Sequence, residues 1–392
     1  MRIKNIQDVV RPDGDIAFIT GCTGQDGSLM VDYLIKNTDV FVIGGVRRLS
    51  VENHINIKHL ENESRFQLVN FDLMDSHSIY KVVEHIKPNY FINFAAQSFV
   101  AASWDLSRQT WECNSTGVLD CLEAIKRFQP NCRFYNAGSS EEFGNVEYEP
   151  QDENHPLRPR SPYGASKAAA RTLVKVYRES YGLYAVQGWL FNHEGVRRGE
   201  EFVTRKITKG VARIYDCIVN DSEFVPMELG NLDAQRDWSD AEDMVVAVWR
   251  MLNQDKYNME LKWNIKNIDR DSETGGWPIK ELSQEIKDYV VGSGEKHTIR
   301  EFVEKAFNVV GITGEWKGNG TEEYFSYVDG PRKAVLEGCK LVVINPKFYR
   351  PAEVDVLLSN STKIRNELRW KPTTTFSELV EKMVTKDLEE KL

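Results

Sequence analysis

The stretch Ile16-Ala17-Phe18-Ile19-Thr20-Gly21-Cys22-Thr23-Gly24-Gln25-Asp26-Gly27 decides the fold. An apolar run ends in a glycine-rich turn, and Ser28 to Leu34 then has the apolar spacing of a helix. A strand, a tight turn and a helix in that order are what a dinucleotide-binding loop requires. Gly21 and Gly24 permit close approach of the backbone to a pyrophosphate, and Gly27 lets the helix sit against the strand. Thr23, Gln25 and Asp26 complete the turn, and the helix start offers free N–H groups to phosphate oxygens. The spacing is G-x-x-G-x-x-G, one residue longer than the shorter fingerprint.

Working outward, further strand candidates are 40–46, 91–96, 133–137 and 185–191, with helical spacing over 28–36, 78–86 and 116–128. The strand candidates lack clean alternation, which is how strands buried on both faces of a parallel sheet read. The expectation is an α/β chain, a doubly wound parallel Rossmann sheet with a smaller C-terminal α/β substrate domain. Residues 1–190 are expected to form the dinucleotide domain, with part of 230–265 returning to it. Residues 191–392 are expected to form the substrate domain, and the polar stretch near 257–287 reads as an inserted surface excursion with one short helix.

Bulk properties bound the function. The 392 residues are 41% hydrophobic and 28% charged, ordinary globular values, with a formal net charge of −9. That charge argues against general attraction to nucleic acid or anionic membrane, so an anionic substrate needs a local basic site. The six cysteines (22, 113, 121, 132, 217 and 339) include no CxxC pair, which disfavours a zinc knuckle or dithiol site and predicts free thiols and no metal. The first ten residues carry no apolar core of a signal peptide, and no apolar stretch is long enough to span a bilayer. The expectation is a soluble cytoplasmic protein.

Two clusters carry chemistry. The second strand candidate ends in Arg47-Arg48, where an NAD binder has an acid for the ribose 2′-hydroxyl. Arginine there suits a 2′-phosphate, so NADP is the expected cofactor. Tyr163 and Lys167 stand four apart before a helical run and so share a face. An ammonium beside a phenol stabilises the phenolate, and this is expected to lower the Tyr163 pKa. A phenolate can take a hydroxyl proton while hydride leaves the carbon. Upstream, Ser139 and Glu141 follow the fourth strand candidate at a carboxyl end, where such sheets place ligands. Ser139 is positioned to hydrogen-bond a reacting oxygen, and Glu141 to move a second proton.

These residues resemble the extended short-chain dehydrogenase/reductase family and, within it, the GDP-mannose 4,6-dehydratases. The similarity runs from about residue 16 to the C-terminus. It rests on TGCTGQDG, Arg47-Arg48, Phe71-Asp72-Leu73, Ala96-Gln97-Ser98, Ser139-Ser140-Glu141 and Ser161-Pro162-Tyr163 with Lys167. Further matches are Phe191-Asn192-His193-Glu194, Arg197-Arg198-Gly199-Glu200, Phe202 to Lys206, Arg236-Asp237-Trp238 and Arg350-Pro351-Ala352-Glu353-Val354. The last four are the most specific.

The resemblance implies a 4,6-dehydration of a nucleotide sugar such as GDP-mannose, with Ser139, Glu141, Tyr163 and Lys167 catalytic. It implies Asp72 and Leu73 beside the adenine, and Ala95, Ala96, Gln97 and Ser98 along the ribose and nicotinamide. It implies His193 and Arg198 as further cofactor contacts. It places Asn192, Lys206, Arg236, Arg350 and Glu353 on the nucleotide diphosphate and base, and it implies a homodimer or homotetramer. The chain departs from the family pattern in four ways. Ser139 stands for the usual Thr, Leu49 follows the arginine pair, Glu142 replaces an apolar residue beside the site, and the polar stretch is extra. The departures leave a GDP-linked heptose, or an epimerase or reductase on the same scaffold, as alternatives. A cofactor-sensing protein without catalysis ranks below these because Tyr163, Lys167 and Glu141 are all present.

Overall fold

The computed structural model describes residues 3–9, 11–50, 53–258, 279–349, 352, 354 and 356–390. Seven strands of the main sheet are β1 (Ile3–Lys4), β2 (Ile16–Thr20), β3 (Phe41–Val46), β4 (Phe66–Asn70), β5 (Tyr90–Asn93), β6 (Arg133–Ala137) and β7 (Ala185–Leu190). Val290–Val291 adds an eighth beside β7, and the order is β1-β4-β3-β2-β5-β6-β7 and then Val290–Val291. Every pairing in it is parallel. The order reverses direction between β2 and β5, so a crevice opens at the carboxyl ends of those strands.

The strands read as continuous apolar runs because both faces are covered. On β2, Ala17 and Ile19 pack with Met30, Val31 and Leu34 of helix α1 (Gln25–Asn37) and with Met244, Val248 and Leu252 of the helix Ala241–Leu252. Ile16 and Phe18 face the opposite way, onto Ile79, Val82, Val118, Leu122, Ala170 and Val174 from three other helices. Each fully buried Ile, Val, Leu, Met or Phe among them contributes about 1.5–3 kcal/mol.

A third cluster lies over the carboxyl ends. It unites the helices Val203–Val219, Ile299–Val309 and Phe376–Glu389 with a four-stranded sheet of Thr313–Lys317, Tyr324–Asp329, Lys340–Ile344 and Met227–Leu229. The chain crosses between the layers at Asn192–Glu194, which pairs in parallel with Trp238–Asp240.

Three expectations change. The strand expected over 91–96 ends at Asn93, because the Ala95 N–H turns aside to the Thr20 hydroxyl at 3.0 Å. The helix expected from Ser28 begins at Gln25, with Gly24 as its N-cap. The polar stretch is not a surface excursion throughout: Leu282 and Ile286 are buried in the first core cluster. Leu282 and Ile286, four apart, turn one face inward beneath a polar composition. Residues 259–278 of that stretch lie outside the described residues.

Candidate active site

The glycines of the opening turn have structural reasons. Gly21 has φ +64°, and a Cβ on it would stand 2.9 Å from the Ala95 nitrogen. A Cβ on Gly27 would meet the Gly21 carbonyl oxygen at 2.2 Å. The turn closes through the Gly24 N–H, which donates to Gly21 O at 2.9 Å. Thr23 is braced by Asn56, whose amide donates to its carbonyl at 3.0 Å. Gly27→Ala is expected to force α1 off β2 and cost about 1–3 kcal/mol, read as a lower Tm together with weaker dinucleotide binding. An unchanged Tm and affinity would show slack that the distances do not allow.

The sheet order gathers the other expected cofactor residues around this turn. Arg47 and Arg48 follow β3 and are exposed, Asp72 and buried Leu73 follow β4, and Ala95 to Ser98 follow β5. Asp72 begins a tight turn, its carboxylate accepting from the Met74 N–H at 3.0 Å. Gln25 reaches across to the His193 carbonyl at 3.1 Å. His193 sits between two acceptors, Nδ1 at 2.7 Å from Phe191 O and Nε2 at 2.9 Å from an Asp26 oxygen. Both ring nitrogens face acceptors, an arrangement that favours the doubly protonated ring. Burial pushes Asp26 up, but the His193 charge and hydrogen bonds outweigh it and bring Asp26 down to about 2. Burial pulls His193 down, and Asp26 more than compensates, raising it.

Beside the turn opens a cavity of about 570 Å³ between the strand ends and the third cluster. Ser139, Glu141, Tyr163 and Lys167 all line it. Ser139 caps the short turn Ser140–Glu142, its hydroxyl accepting from the Glu141 N–H at 3.2 Å. Tyr163 and Lys167 stand in the first turns of the helix Pro162–Tyr181. That helix is started by Pro162 and by the Ser161 hydroxyl, which accepts from the Gly164 N–H at 3.0 Å. The Lys167 ammonium donates to Ala137 O at 2.8 Å and lies 5.8 Å from the centre of the Tyr163 ring. Burial lowers Lys167 to about 8.

The expected lowering of Tyr163 is not found. Burial raises the phenol, and its hydrogen bond with Ser139 and the charge of Arg198 oppose that only in part. One ammonium N–H goes to the Ala137 carbonyl and none bonds the phenol, which is neutral without ligands.

Of the expected substrate residues, Asn192, Lys206 and Arg236 line the same cavity, as do His193 and Arg198. Asn192 Oδ1 is buried with no hydrogen-bond partner among the described residues. Lys206 lies 3.5 Å from the centre of the Phe348 ring, and burial lowers its pKa. Arg198 stacks 3.5 Å over Phe202 and pairs with Glu194 at 3.0 Å. Arg350 and Glu353 lie outside the described residues.

Sequence reading missed Asn114. It sits in a single π-helical turn, Glu112–Thr116, and is buried. Its side chain grips Gln97 on both sides, accepting from the N–H and donating to the carbonyl at 2.9 Å each, and donates to Ser166 Oγ at 3.2 Å. The weak helix formers Asn114-Ser115-Thr116-Gly117 inside an apolar helical pattern were the available signal. Also unforeseen is a buried chain of side chains across four strands: Thr20 Oγ1 donates to Asn93 (2.6 Å), Asn93 to Asn136 (2.8 Å) and Asn136 to Gln187 (2.7 Å).

The family model described as GDP-mannose 4,6 dehydratase matches residues 18–269 and 277–383. The chain belongs to the GDP-mannose 4,6-dehydratase family. A GDP-mannose 4,6 dehydratase of Drosophila melanogaster is 41% identical, covering 95% of this chain and 86% of its own. The Homo sapiens protein so named is 39% identical (96% and 92%), and that of Vibrio cholerae serotype O1 is 36% identical (96% and 94%). Among solved structures, dTDP-glucose 4,6-dehydratase of Bacillus anthracis in complex with NAD has a TM-score of 0.70 at 18% identity, covering 96% and 98% of the two chains. RMD of Pseudomonas aeruginosa complexed with NADPH has a TM-score of 0.67 at 20% identity, covering 96% and 100%. These two likenesses show the fold of the family.

Among the described residues, no group of three or more His, Cys, Asp or Glu is arranged to hold a metal ion, and no helix is long and apolar enough to cross a membrane. All six cysteines are free thiols.

Proposed function

We propose that this chain is an NADP-dependent lyase that converts GDP-mannose to GDP-4-keto-6-deoxy-mannose and water. The carrying observation is that Glu141 and Tyr163 open onto one cavity beside the dinucleotide turn. An epimerase needs the tyrosine and lysine but no carboxylate directed at C5. In this reading residues 1–190 hold the dinucleotide and residues 191–392 supply most of the sugar-nucleotide contacts, in a cytoplasmic homodimer or homotetramer.

The residues present fit both ligands. The Gly21/Gly27 cradle leaves no room for a Cβ, and the start of α1 offers N–H groups to a pyrophosphate. Arg47 and Arg48 would take the 2′-phosphate, and Asp72 and Leu73 the adenine. Ala95 to Ser98, with His193 and Arg198, would take the ribose and nicotinamide side. NADP, when bound, supplies a hydride acceptor for C4 that later serves as the hydride donor to C6. The unpartnered Asn192 oxygen, Lys206 and Arg236 would hold the GDP moiety, charge-assisted bonds offsetting an acidic chain.

Tyr163 takes the proton of the 4-hydroxyl as C4 is oxidised, with Ser139 hydrogen-bonded to the same oxygen. Lys167 stabilises the phenolate once the buried site fills. The C4 ketone acidifies C5–H, and Glu141 removes that proton. The C6–O bond breaks, and the hydroxyl departs as water with the proton held by Glu141. Hydride addition at C6 and a solvent-derived proton at C5 complete the product, so one water is lost and no cofactor is consumed.

Incubation with NADP and a panel of GDP-, dTDP- and UDP-sugars tests the proposal. The expected product from GDP-mannose is lighter by one water and, in heavy water, carries deuterium at C5. A product of unchanged mass, or stoichiometric conversion of NADP to NADPH, overturns it; turnover of a GDP-heptose in preference to GDP-mannose would reassign the sugar. Arg47→Ala/Arg48→Ala is expected to raise KM for NADP at least about tenfold and to leave KM for NAD unchanged. Equal losses on both dinucleotides would defeat the 2′-phosphate assignment.

A further inference from the structure

Glu142 is the departure from the family pattern that the site leaves unused. It does not face the sugar cavity. It is fully buried beneath the Ser139 turn, and Arg171 is buried against it. One Glu142 oxygen accepts from the Ser139 N–H at 2.8 Å and from the Gln187 amide at 3.1 Å, and the other accepts from Arg171 Nε at 2.5 Å. Arg171 also donates to Gln187 O at 2.8 Å and stacks 3.4 Å over Trp189.

Tyr163, Lys167 and Arg171 are spaced by four on one helix, so they share a face. The first two reach the cavity, and the third reaches the carboxylate that holds Ser139. We infer that Glu142 and Arg171 are a pair of positioning residues that lock the Ser139–Glu141 turn to the Tyr163/Lys167 helix, and that the Glu142 charge acts on both catalytic groups. The inference rests on the proposed dehydratase reading for its activity arm.

The charged and titratable surroundings are Arg171, Tyr163 and Lys167 from the helix, Glu141 from the turn, Tyr135 from β6, and Asp288 behind Arg171 at 3.7 Å, itself paired to Arg178. Burial is the main force raising Tyr163, and the charges of Glu141 and Glu142 add to it. Burial is also the main force lowering Lys167, and Glu142 is among the groups opposing it. Removing the Glu142 charge therefore lowers the pKa of Tyr163. The acid limb of kcat, which reports formation of the phenolate in the filled site, moves to lower pH.

The test compares the full-length holoenzyme with Glu142→Gln and with the double variant Glu142→Leu/Arg171→Leu, which removes both buried charges together because a lone one is strongly destabilising. In Glu142→Gln, kcat with GDP-mannose is expected to fall about tenfold to a hundredfold. KM should stay within about twofold if binding is untouched, and the acid limb should move down. Amide exchange over Gly138–Glu142 supplies an arm that needs no substrate: both variants should exchange at least about tenfold faster there.

Wild-type kcat with an unmoved acid limb overturns the inference, as does activity loss that only tracks the folded fraction. If Glu142→Gln does not fold, the double variant decides: wild-type exchange over the turn refutes the lock, and faster exchange with the fold retained upholds it. A wild-type chain inactive on GDP-mannose defeats the dehydratase reading alone, since the exchange arm still judges the pair.

Discussion

Tyr163→Phe is expected to lower kcat by about two to four orders of magnitude while leaving NADP affinity and Tm close to wild type. The substitution removes one oxygen from a buried ring, and the hydroxyl supplies a proton acceptor and a partner for Ser139, not a support of the core. Unlike the loss of a binding contact, this loss falls on the first chemical step. Single-turnover mixing of the variant with GDP-mannose should show no burst of reduced nicotinamide. A burst of wild-type size would remove Tyr163 from the role of base. Because burial raises the unliganded phenol, activity in the wild type should climb with pH until the liganded phenol ionises. That rise should be absent from the variant's residual rate.

Glu141→Gln is expected to separate the two halves of the reaction. Oxidation at C4 does not use this carboxylate, so reduced nicotinamide should form on the enzyme and persist. Loss of water should slow by about two to four orders of magnitude. Deuterium should no longer enter C5 from solvent. The amide is nearly isosteric and Glu141 touches the cavity, so the fold should be kept. Normal C5 exchange in this variant would move the base to another of the carboxylates lining the cavity. Glu194, paired with Arg198 and bonded by Thr204, is already engaged. Asp26, engaged with His193, is held as a carboxylate down to about pH 2, which leaves it a feeble base.

Much of the fold was legible because the dinucleotide half obeys local rules. Short apolar runs bounded by glycine, with helical spacing between, identified β2, β3, β6 and β7 nearly to the residue. Phe66–Asn70 does not read as a strand because Gln67 and Asn70 interrupt its apolar run, yet it pairs with β3 and β1 and completes the half of the sheet beside Arg47. Part of the C-terminal half was less legible because several of its pairings join distant strands of two or three residues. Gln235–Arg236 finds partners at His297–Thr298 and Val356–Leu357, too short to show periodicity.

At the site, residues borne on a motif were readable, and their gathering into one cavity follows from strand order. What the motifs do not contain is the support beneath them. Arg171 and Gln187 are polar letters within apolar patterns, Asn114 and Glu142 stand in polar runs, and only the fold reveals which groups each one satisfies. The protonation of Tyr163 departs from expectation for a related reason. Spacing gave the neighbouring ammonium but neither the depth of burial nor the carbonyl that competes for it.

The chain of side chains from Thr20 through Asn93 and Asn136 to Gln187 bears on how this enzyme can be recombined. Each member takes its partner from the next strand, and the last one reaches Glu142. Amides in such a row must all be oriented the same way, donor to acceptor, or a buried pair is left unmatched. Cutting the row between β5 and β6, as a chimaera joining the first hundred residues to a relative's remainder would, sets Asn93 against an unrelated neighbour. Grafts that exchange the dinucleotide turn alone, or the whole row together, keep the orientation intact. The useful crossover points therefore lie outside the row, even though the strand ends within it look like natural seams.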